Sequence, residues 1–212
     1  MKFLLWFARK SSVELKIVLI TLFILLSLPI ITISILSISG FAAASQVLAS
    51  NNPVTKLVEI FDANGNKVRE LELSTAWPAT GYVSDEFGTL DPFRRLLGLA
   101  RHTGIDIANE KGLVGTPVTT FLVGTVVMVD SVDDTACGKS AKVDHGNGIQ
   151  SLYCHLEAPA ASMNQPVKPG DLIGYMGSTG ASTGPHLHFQ INVYGIPVNP
   201  RTFMVGEPRG TY

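Results

Sequence analysis

An uninterrupted apolar run dominates the hydrophobic pattern of the chain: 22 consecutive positions, Ile17 to Ile38, carry no charge. A bilayer core of about 30 Å needs roughly 20 apolar residues in a helix, so this run is long enough to cross it. Pro29 lies inside the run, which a membrane helix tolerates better than a soluble one does. A buried soluble helix is disfavoured, because no polar face appears over about six turns. The pattern therefore predicts one transmembrane helix over residues 17–38.

The flanks of the run predict its orientation. Residues 1–16 carry four basic side chains against Glu14 alone, and positive charge beside the first span tends to stay in the cytoplasm. The alternative is a cleaved signal peptide, because Ala42–Ala44 and Val47–Ala49 offer small-residue cleavage sites. Such a signal normally has an apolar region of about 7–15 residues, so the greater length here favours a retained anchor. We expect a single-pass protein of the cell membrane, with a cytoplasmic amino terminus and everything after Ile38 outside.

Two short segments follow the apolar run. Residues 39–53 are small and polar without a hydrophobic period, which predicts a tether. Residues 54–76 predict a β-hairpin that serves for packing or as a spacer. Its two alternating runs, Val54–Phe61 and Lys67–Leu73, flank Asn64-Gly65, and Asn-Gly between such runs is a strong hairpin signal.

From Trp77 onward, short apolar runs alternate with clusters of Gly, Pro, Asp and Asn. This spacing is typical of an antiparallel sheet or sandwich and not of βαβ units. The predicted fold class is therefore all-β, a small antiparallel β-sheet or sandwich domain over residues 77–205 with a tail at 206–212. The predicted strands are Gly124–Val129, Lys142–His145, Ile149–His155, Leu172–Met176 and His188–Val193, with tight turns at His145–Gly148 and Lys168–Asp171 and one helical piece at Pro92–Ala100.

The charge of the chain narrows the range of possible partners. Beyond residue 16 the chain carries 12 basic and 16 acidic residues, so no nucleic-acid partner is expected.

Cys137 and Cys154 fall in the exported part, where a disulfide is chemically permitted. If Gly146 pairs with Ile149, Cys154 lies opposite Ala141, which is four residues from Cys137. In a regular ladder the Cα atoms of the two cysteines would then lie farther apart than the roughly 7 Å that a disulfide allows. A bulge at Cys137-Gly138 would join them, so both states remain open. A zinc role is disfavoured, because the CxxC pattern is absent.

The histidines carry the candidate chemistry. In a strand, His186 and His188 would point to one face about 6.5–7 Å apart, as one metal ligand and one catalytic neighbour could. Taken alone, such a pair is more often two exposed strand histidines. His102 and Asp106 add a nitrogen and an oxygen ligand four residues apart, with Gly104 allowing a bend. Two nitrogens, one oxygen and an open position are typical of a catalytic zinc site with one metal ion.

Three separated segments resemble, in order, those of the lysostaphin/LytM-type zinc metallopeptidases, and the resemblance extends over about Trp77 to Phe203. The segments are RHTGIDIA at Arg101–Ala108, VDHGNGIQSLYCHL at Val143–Leu156 and VKPGDLIGYMGSTGASTGPHLHFQ at Val167–Gln190. The resemblance implies zinc ligands at His102, Asp106 and His188, and a catalytic pair at His155 and His186. It also implies a zinc groove on an antiparallel β fold and hydrolysis of peptide bonds in peptidoglycan stem peptides or cross-bridges. The stretch Leu90–Ala100 departs from the family pattern, being longer and more apolar.

The chemistry of these residue types agrees with such an activity. Zinc lowers the pKa of bound water toward about 7, one neutral histidine can take the proton, and the other can donate a hydrogen bond to the oxyanion. We expect His186 to be the base and His155 the stabiliser, although the sequence does not fix which is which. His145 beside its turn is expected to be structural. Tyr153 is expected either to help bind substrate or to lie at the edge of the core.

Two other functions compete with this enzyme. One is a catalytically inactive relative that binds peptidoglycan or activates another hydrolase; such proteins typically lose ligands, whereas all five positions are filled here. The other is a β-barrel scaffold, because VKPGDLIG also resembles turns of lipoyl-type domains, but it leaves the histidines unexplained. The expected partners are therefore a peptidoglycan peptide and, through the single span, the membrane.

Overall fold

The computed structural model describes residues 16–23, 40, 43–74, 76–90 and 101–208. The chain divides into two units, Met1–Ala43 and Ala44–Tyr212. At the start of the predicted span residues 16–23 are helical, and residues 24–38 lie outside the described ranges, as does the helical piece predicted at Pro92–Ala100. None of the helices within those ranges combines the length and apolar character needed to cross a membrane.

Short strands make up most of the regular structure of the second unit, after helical residues 43–48. They are β1 (Ala49–Asn51), β2 (Leu57–Phe61), β3 (Lys67–Glu72), β4 (Tyr82–Asp85), β5 (Ile105–Ala108), β6 (Pro117–Thr119), β7 (Gly124–Asp130), β8 (Ser140–Asp144), β9 (Ile149–Cys154), β10 (Leu156–Pro159), β11 (Pro166–Val167), β12 (Leu172–Met176), β13 (Leu187–Val193) and β14 (Ile196–Val198), with a 3-10 turn at Pro200–Phe203.

Within the described ranges the strands form three sheets. The largest has eight strands in the order β11-β7-β8-β9-β13-β5-β4, with β14 paired to β13. Two three-stranded sheets have the orders β10-β12-β6 and β1-β2-β3. Every pairing between these strands is antiparallel. The structure thus confirms the all-β antiparallel class, because period-two patterning and turn residues specify strands even where these are short.

Strand β13 shows how the sheet divides core from polar surface. Its odd positions, from Leu187 to Val193, are buried, whereas His188 and Gln190 are only partly buried. Phe189 packs edge-on against Phe121, with ring centroids 5.5 Å apart. One face of the central strand therefore lies on the core, and the opposite face is left free to carry polar side chains.

The segment predicted as a tether, residues 39–53, differs from that expectation. Residues 43–48 are helical, β1 pairs with β2, and Leu48 and Ala49 are buried. The hydrophobic pattern did not reveal this strand, because a three-residue edge strand needs few apolar positions when its neighbour supplies the hydrogen bonds.

The predicted hairpin is present as β2 and β3, joined through Gly65 at φ 81°. It does not stand apart as a spacer, since Val58 and Ile60 belong to the same hydrophobic core as the large sheet. Arg69 Nη1 also donates a 2.6 Å hydrogen bond to the carbonyl of His145. The hairpin therefore packs on the β domain.

Candidate active site

Three predicted ligands converge on one point of the large sheet. His188 on β13 lies directly opposite Asp106 on β5, and His102 precedes β5. The three facing atoms are His102 Nε2, Asp106 Oδ1 and His188 Nδ1, and each pair of them is 2.9 Å apart. His102 is fully buried and the other two are partly exposed. Strand register, and not sequence proximity, brings His188 to the other two.

Gly104 has a different role from the one expected. Its φ is not in the left-handed region, so no glycine-specific bend is required there. Instead, a Cβ at this position would lie 2.4 Å from the carbonyl oxygen of Phe189 and 3.0 Å from His188 Cε1. The glycine is needed for the close approach of two ligand-bearing segments.

Contacts behind the ligands fix which nitrogen of each imidazole faces the site. His102 Nδ1 lies 3.0 Å from the carbonyl of Glu86 and 3.3 Å from Asp85 Oδ2, so it carries the proton and leaves Nε2 as a lone pair. On the other side His188 Nε2 faces Gln190 Oε1 at 3.5 Å. Thr103 Oγ1 donates to the same oxygen at 2.6 Å.

The donor set fits a divalent cation. Two imidazole nitrogens and one carboxylate oxygen converge, and these are the kinds of ligand atom that a divalent cation such as zinc takes in proteins. Although burial acts to raise it, the neighbouring imidazoles of His102 and His188 hold the pKa of Asp106 well below its ordinary range. The carboxylate is therefore ionised at neutral pH and ready to act as a ligand.

The two predicted catalytic histidines stand beside these ligands, with ring centroids 4.7 Å apart. Each is anchored through Nδ1 to a backbone carbonyl, His155 to Thr179 at 2.7 Å and His186 to Gly184 at 2.8 Å. Nδ1 therefore carries the proton in both, and Nε2 is a lone pair. His186 Nε2 lies 3.7 Å from Asp106 Oδ2. The structure thus brings the predicted site residues together: Asp106, His155, His186 and His188 line one groove, and His102 is buried next to Asp106 and His188.

The backbone of His155 breaks the alternation of β9. Its φ is +61°, in the left-handed region, directly after the last ladder residue, Cys154. By alternation Tyr153 and His155 would share a face, but Tyr153 is fully buried in the core whereas His155 lines the groove. The possibility that Tyr153 binds substrate is therefore wrong; its hydroxyl lies 3.0 Å from Ser151 Oγ inside the core.

Burial, and then the charge of nearby His186, lower the pKa of His155 to about 4. The side chain is therefore neutral at physiological pH. With its proton on Nδ1, neutral His155 presents only an acceptor to the groove.

Sequence reasoning missed the residues that support the ligands. Gln190 continues the His186-Leu187-His188 alternation by one step, so its place on the same face was readable from the pattern. Asp85, at the end of β4, gave no comparable signal, because its contact with His102 depends on the pairing of β4 with β5. Thr179 and Gly184 act through backbone carbonyls, which carry no side-chain signature.

The two cysteines are joined. The Cys137–Cys154 disulfide has a Cα–Cα distance of 5.0 Å. Tyr153, and not Cys154, opposes Ala141 in the β8–β9 ladder. The chain then turns at Gly138, with φ +61°, and returns Cys137 to the end of β9. The turn takes the place of the bulge that the sequence left open.

His145 lies outside the groove, as expected for a structural residue. Its Nδ1 donates to the carbonyl of Val123 at 2.9 Å, and its Nε2 lies 2.8 Å from Ser151 Oγ. Its ring packs edge-on against Phe121 at 5.0 Å. Burial lowers the pKa of His145 to about 4.

Comparison with known proteins agrees with this geometry. Residues 100–200 match peptidase family M23, and the converging side chains all lie in that range. This match extends over just under half of the chain, and it confirms the resemblance of these segments to the lysostaphin/LytM-type enzymes.

Two curated relatives are similar over the same region. One is the DD-carboxypeptidase/endopeptidase Mpg of Neisseria meningitidis, 38% identical over 52% of this chain and 24% of its own. The other is the peptidoglycan DD-endopeptidase ShyA of Vibrio cholerae, 34% identical over 66% of this chain and 32% of its own. The chain thus spans about a quarter to a third of the length of these relatives.

Two solved structures share the fold. A complex of SpoIIIAH and SpoIIQ contains a chain that is 28% identical, with a TM-score of 0.53, over 61% of this chain and 99% of that one. A zinc-containing peptidase from Vibrio cholerae is 24% identical, with a TM-score of 0.55, over 71% of this chain and 47% of that one. The second likeness shows the fold alone.

The buried His145 predicts a pH dependence of folding stability. Its pKa of about 4 lies below the ordinary 6.5, so between these values the unfolded chain binds more protons and stability falls as the pH falls. The shift corresponds to about 3 kcal/mol of unfolding free energy. Urea denaturation of metal-free wild type and His145→Gln at pH 7 and pH 4 measures it, and the variant should lose less stability. Parallel losses in the two proteins would contradict the assignment.

Proposed function

We propose that this protein is a zinc-dependent endopeptidase that hydrolyses peptide bonds in peptidoglycan. One observation carries the proposal: three potential ligand atoms, each 2.9 Å from the other two, lie beside two further imidazoles, those of His155 and His186, that line the groove. A non-catalytic binding domain needs neither the converging donors nor the anchored histidines. The arrangement is that of a hydrolytic centre with an open position.

Zinc is the metal that the donor set favours. Two imidazole nitrogens and one carboxylate oxygen, from His102, His188 and Asp106, are ordinary zinc ligands and leave a further position open. Donor atoms of a tetrahedral ion at roughly 2.0–2.2 Å stand a little over 3 Å apart, so the observed spacing needs only a small outward adjustment. When bound, the metal supplies Lewis-acid polarisation and lowers the pKa of water at the site.

His186 and His155 have different roles in catalysis. His186 acts as general base, because its Nε2 lies 3.7 Å from Asp106 Oδ2, where a negative charge stabilises the imidazolium that forms. His155 stays neutral and accepts a hydrogen bond through Nε2, which orients the second hydrogen of the attacking water. This replaces the donor role expected from the sequence, because a proton on Nδ1 bound to Thr179 leaves no N–H for the oxyanion.

The substrate class is proposed from the relatives and the groove. Mpg and ShyA, with which this chain shares 38% and 34% identity, are named for DD-carboxypeptidase or DD-endopeptidase activity, and ShyA for peptidoglycan. The groove beside the ligands is open to solvent and lined by small residues from Gly180 to Gly184. Such a channel suits an extended peptide with small side chains, as peptidoglycan stems and cross-bridges provide.

We also propose that the chain is anchored in the cell membrane through residues 17–38, with the peptidase domain outside. The support is the uncharged run and the basic residues before it. The disulfide agrees with this orientation, because disulfides persist in oxidising compartments outside the cytoplasm.

Metal binding tests the ligand set. The purified protein should contain about one zinc per chain. His102→Ala, Asp106→Ala and His188→Ala should each lose it, because removing one of three protein ligands takes away much of the site's affinity. Elemental analysis after dialysis measures the content. Full zinc in all three variants would exclude these residues as the ligands.

Loss of activity without loss of metal tests the histidine pair. His155→Ala and His186→Ala should keep their zinc and lose about 100- to 10,000-fold in hydrolysis, since this is the usual contribution of a general acid or base. Release of peptides from purified peptidoglycan, followed by chromatography and mass spectrometry, gives both the rate and the bond cleaved. If either variant loses zinc as readily as His188→Ala, the division between ligands and catalytic residues is wrong.

The proposed topology has its own test. The full-length protein should fractionate with membranes, and protease added to spheroplasts should remove the domain that holds the zinc site. A soluble mature protein beginning at Ser45 or Ser50 would show cleavage by signal peptidase and would refute the anchor.

A further inference from the structure

The disulfide lies beside the catalytic histidine. Cys154 is the last residue of β9 and lies opposite His188 in the ladder with β13. His155 follows it at once, and both cysteines line the groove with His155. The bond ties this position to Cys137, which lies 17 residues earlier in the chain.

The left-handed backbone conformation of His155 has to be stabilised by contacts with other segments of the chain. A left-handed backbone is unfavourable for a residue with a Cβ, and the ladder of β9 ends one residue earlier. Only this conformation turns the ring out of the core and into the groove. The restraining contacts come from the segment around Cys137: His155 N–H donates to the Cys137 carbonyl at 2.8 Å, and Leu156 N–H donates to the Lys139 carbonyl at 2.9 Å.

The same segment also fixes the carbonyl that anchors the ring. Lys139 N–H donates to Thr179 Oγ1 at 3.0 Å, and Ala181 N–H donates to the Ala136 carbonyl at 2.9 Å. Gly138 lies so close that a Cβ there would be 2.5 Å from the backbone carbon of Thr179. The Thr179 carbonyl that accepts from His155 Nδ1 is therefore held in part by the residues next to Cys137, and in part by Thr179 Oγ1, which donates to the Leu156 carbonyl at 2.9 Å.

Besides these hydrogen bonds, Lys139 Nζ donates to the Glu157 carbonyl at 2.9 Å, and the segment continues into β8 at Ser140. Residues 131–136, which lead into Cys137, are all exposed, so hydrophobic packing contributes little to their position. Asp133 Oδ1 accepts from Gly180 N–H at 2.6 Å, which is a contact to the same groove loop and not to the core. The covalent bond is the strongest restraint that the segment has.

We infer that the Cys137–Cys154 disulfide positions His155 for catalysis, so that the peptidase is fully competent only in its oxidised state. This inference rests on the proposed function. Reduction adds two electrons and two protons to the bond and leaves two thiols; a dithiol supplies both and leaves as its own disulfide, whereas a phosphine supplies the electrons, water supplies the protons and the oxygen, and the phosphine leaves as its oxide. The segment around Cys137 then moves away from β9, and His155 loses its anchors on both the backbone and the ring. The zinc ligands are held by the β5–β13 pairing and stay in place.

The first test compares the full chain with Cys137→Ala/Cys154→Ala, in the wild-type and the His155→Ala backgrounds. With cross-linked muropeptides as substrate, the cysteine-free variant should lose at least about tenfold in kcat, since a misplacement of about 1 Å can cost about 100-fold. Its KM and zinc content should not change. In the His155→Ala background, removal of the cysteines should have no further effect. Equal losses in both backgrounds would indicate a merely structural bond and would overturn the inference.

A second readout does not depend on activity. Hydrogen exchange of the His155 and Leu156 amides should become faster in the cysteine-free variant, and in the wild type after a phosphine reductant that brings no competing thiols. Amides of the β9–β13 ladder, such as that of Ile191, should keep their protection. Unchanged exchange at His155 and Leu156 would overturn the inference. If the oxidised wild type fails to cleave peptidoglycan, the proposed function fails instead, and exchange still decides whether the bond holds His155.

A variant that keeps the disulfide provides a matched comparison. Gly138→Ala places a Cβ against Thr179, whereas Gly170→Ala, with φ +89° and no neighbour within 4 Å, introduces similar backbone strain without that contact. Gly138→Ala should lower kcat with zinc retained, and Gly170→Ala should not. Equal effects of the two substitutions would contradict a positioning role for this segment.

Discussion

The register of β13 between β5 and β9 places His188 opposite Asp106 on one side and opposite Cys154 on the other. The first pairing brings the ligand atoms together, and the second brings the end of β9, and with it His155, to the same point. Because side chains alternate along a strand, a slip of one residue would turn His188 into the core and Phe189 into the groove. The four core residues of β13 make such a slip costly, so hydrophobic burial on one face of the strand maintains the chemistry of the other.

A second layer of contacts determines which ring nitrogen of each histidine faces the site. Each of the four imidazoles of the site has one nitrogen turned toward an acceptor. His102 uses the Glu86 carbonyl, His155 the Thr179 carbonyl and His186 the Gly184 carbonyl, while His188 faces Gln190. The remaining nitrogen is thereby fixed as a lone pair, which can hold a metal or accept a proton. Backbone carbonyls do most of this work, so the side-chain sequence alone does not display it.

The sequence was most informative where strand periodicity applied. The central strands agree with the predicted runs to within a few residues, and His186 and His188 line one groove as alternation required. Prediction failed where the backbone leaves the regular ladder. Tyr153 was grouped with His155 because nothing in the sequence signals the positive φ of a histidine. The register of β8 on β9 was displaced by one residue, and the glycine between His102 and Asp106 serves close approach and not a bend. Each of these depends on long-range contacts that a local pattern does not contain.

The disulfide has a further consequence for the choice of metal ligands. Cys137 and Cys154 lie in the groove itself, close to a site whose donors are nitrogen and oxygen. Thiolates are strong, soft ligands for zinc, and two free ones here would compete with Asp106 and the histidines for the ion. Joined to each other, the sulfurs no longer act as thiolates. In the proposed zinc site, oxidation would thus leave coordination to nitrogen and oxygen atoms, with a position open for water.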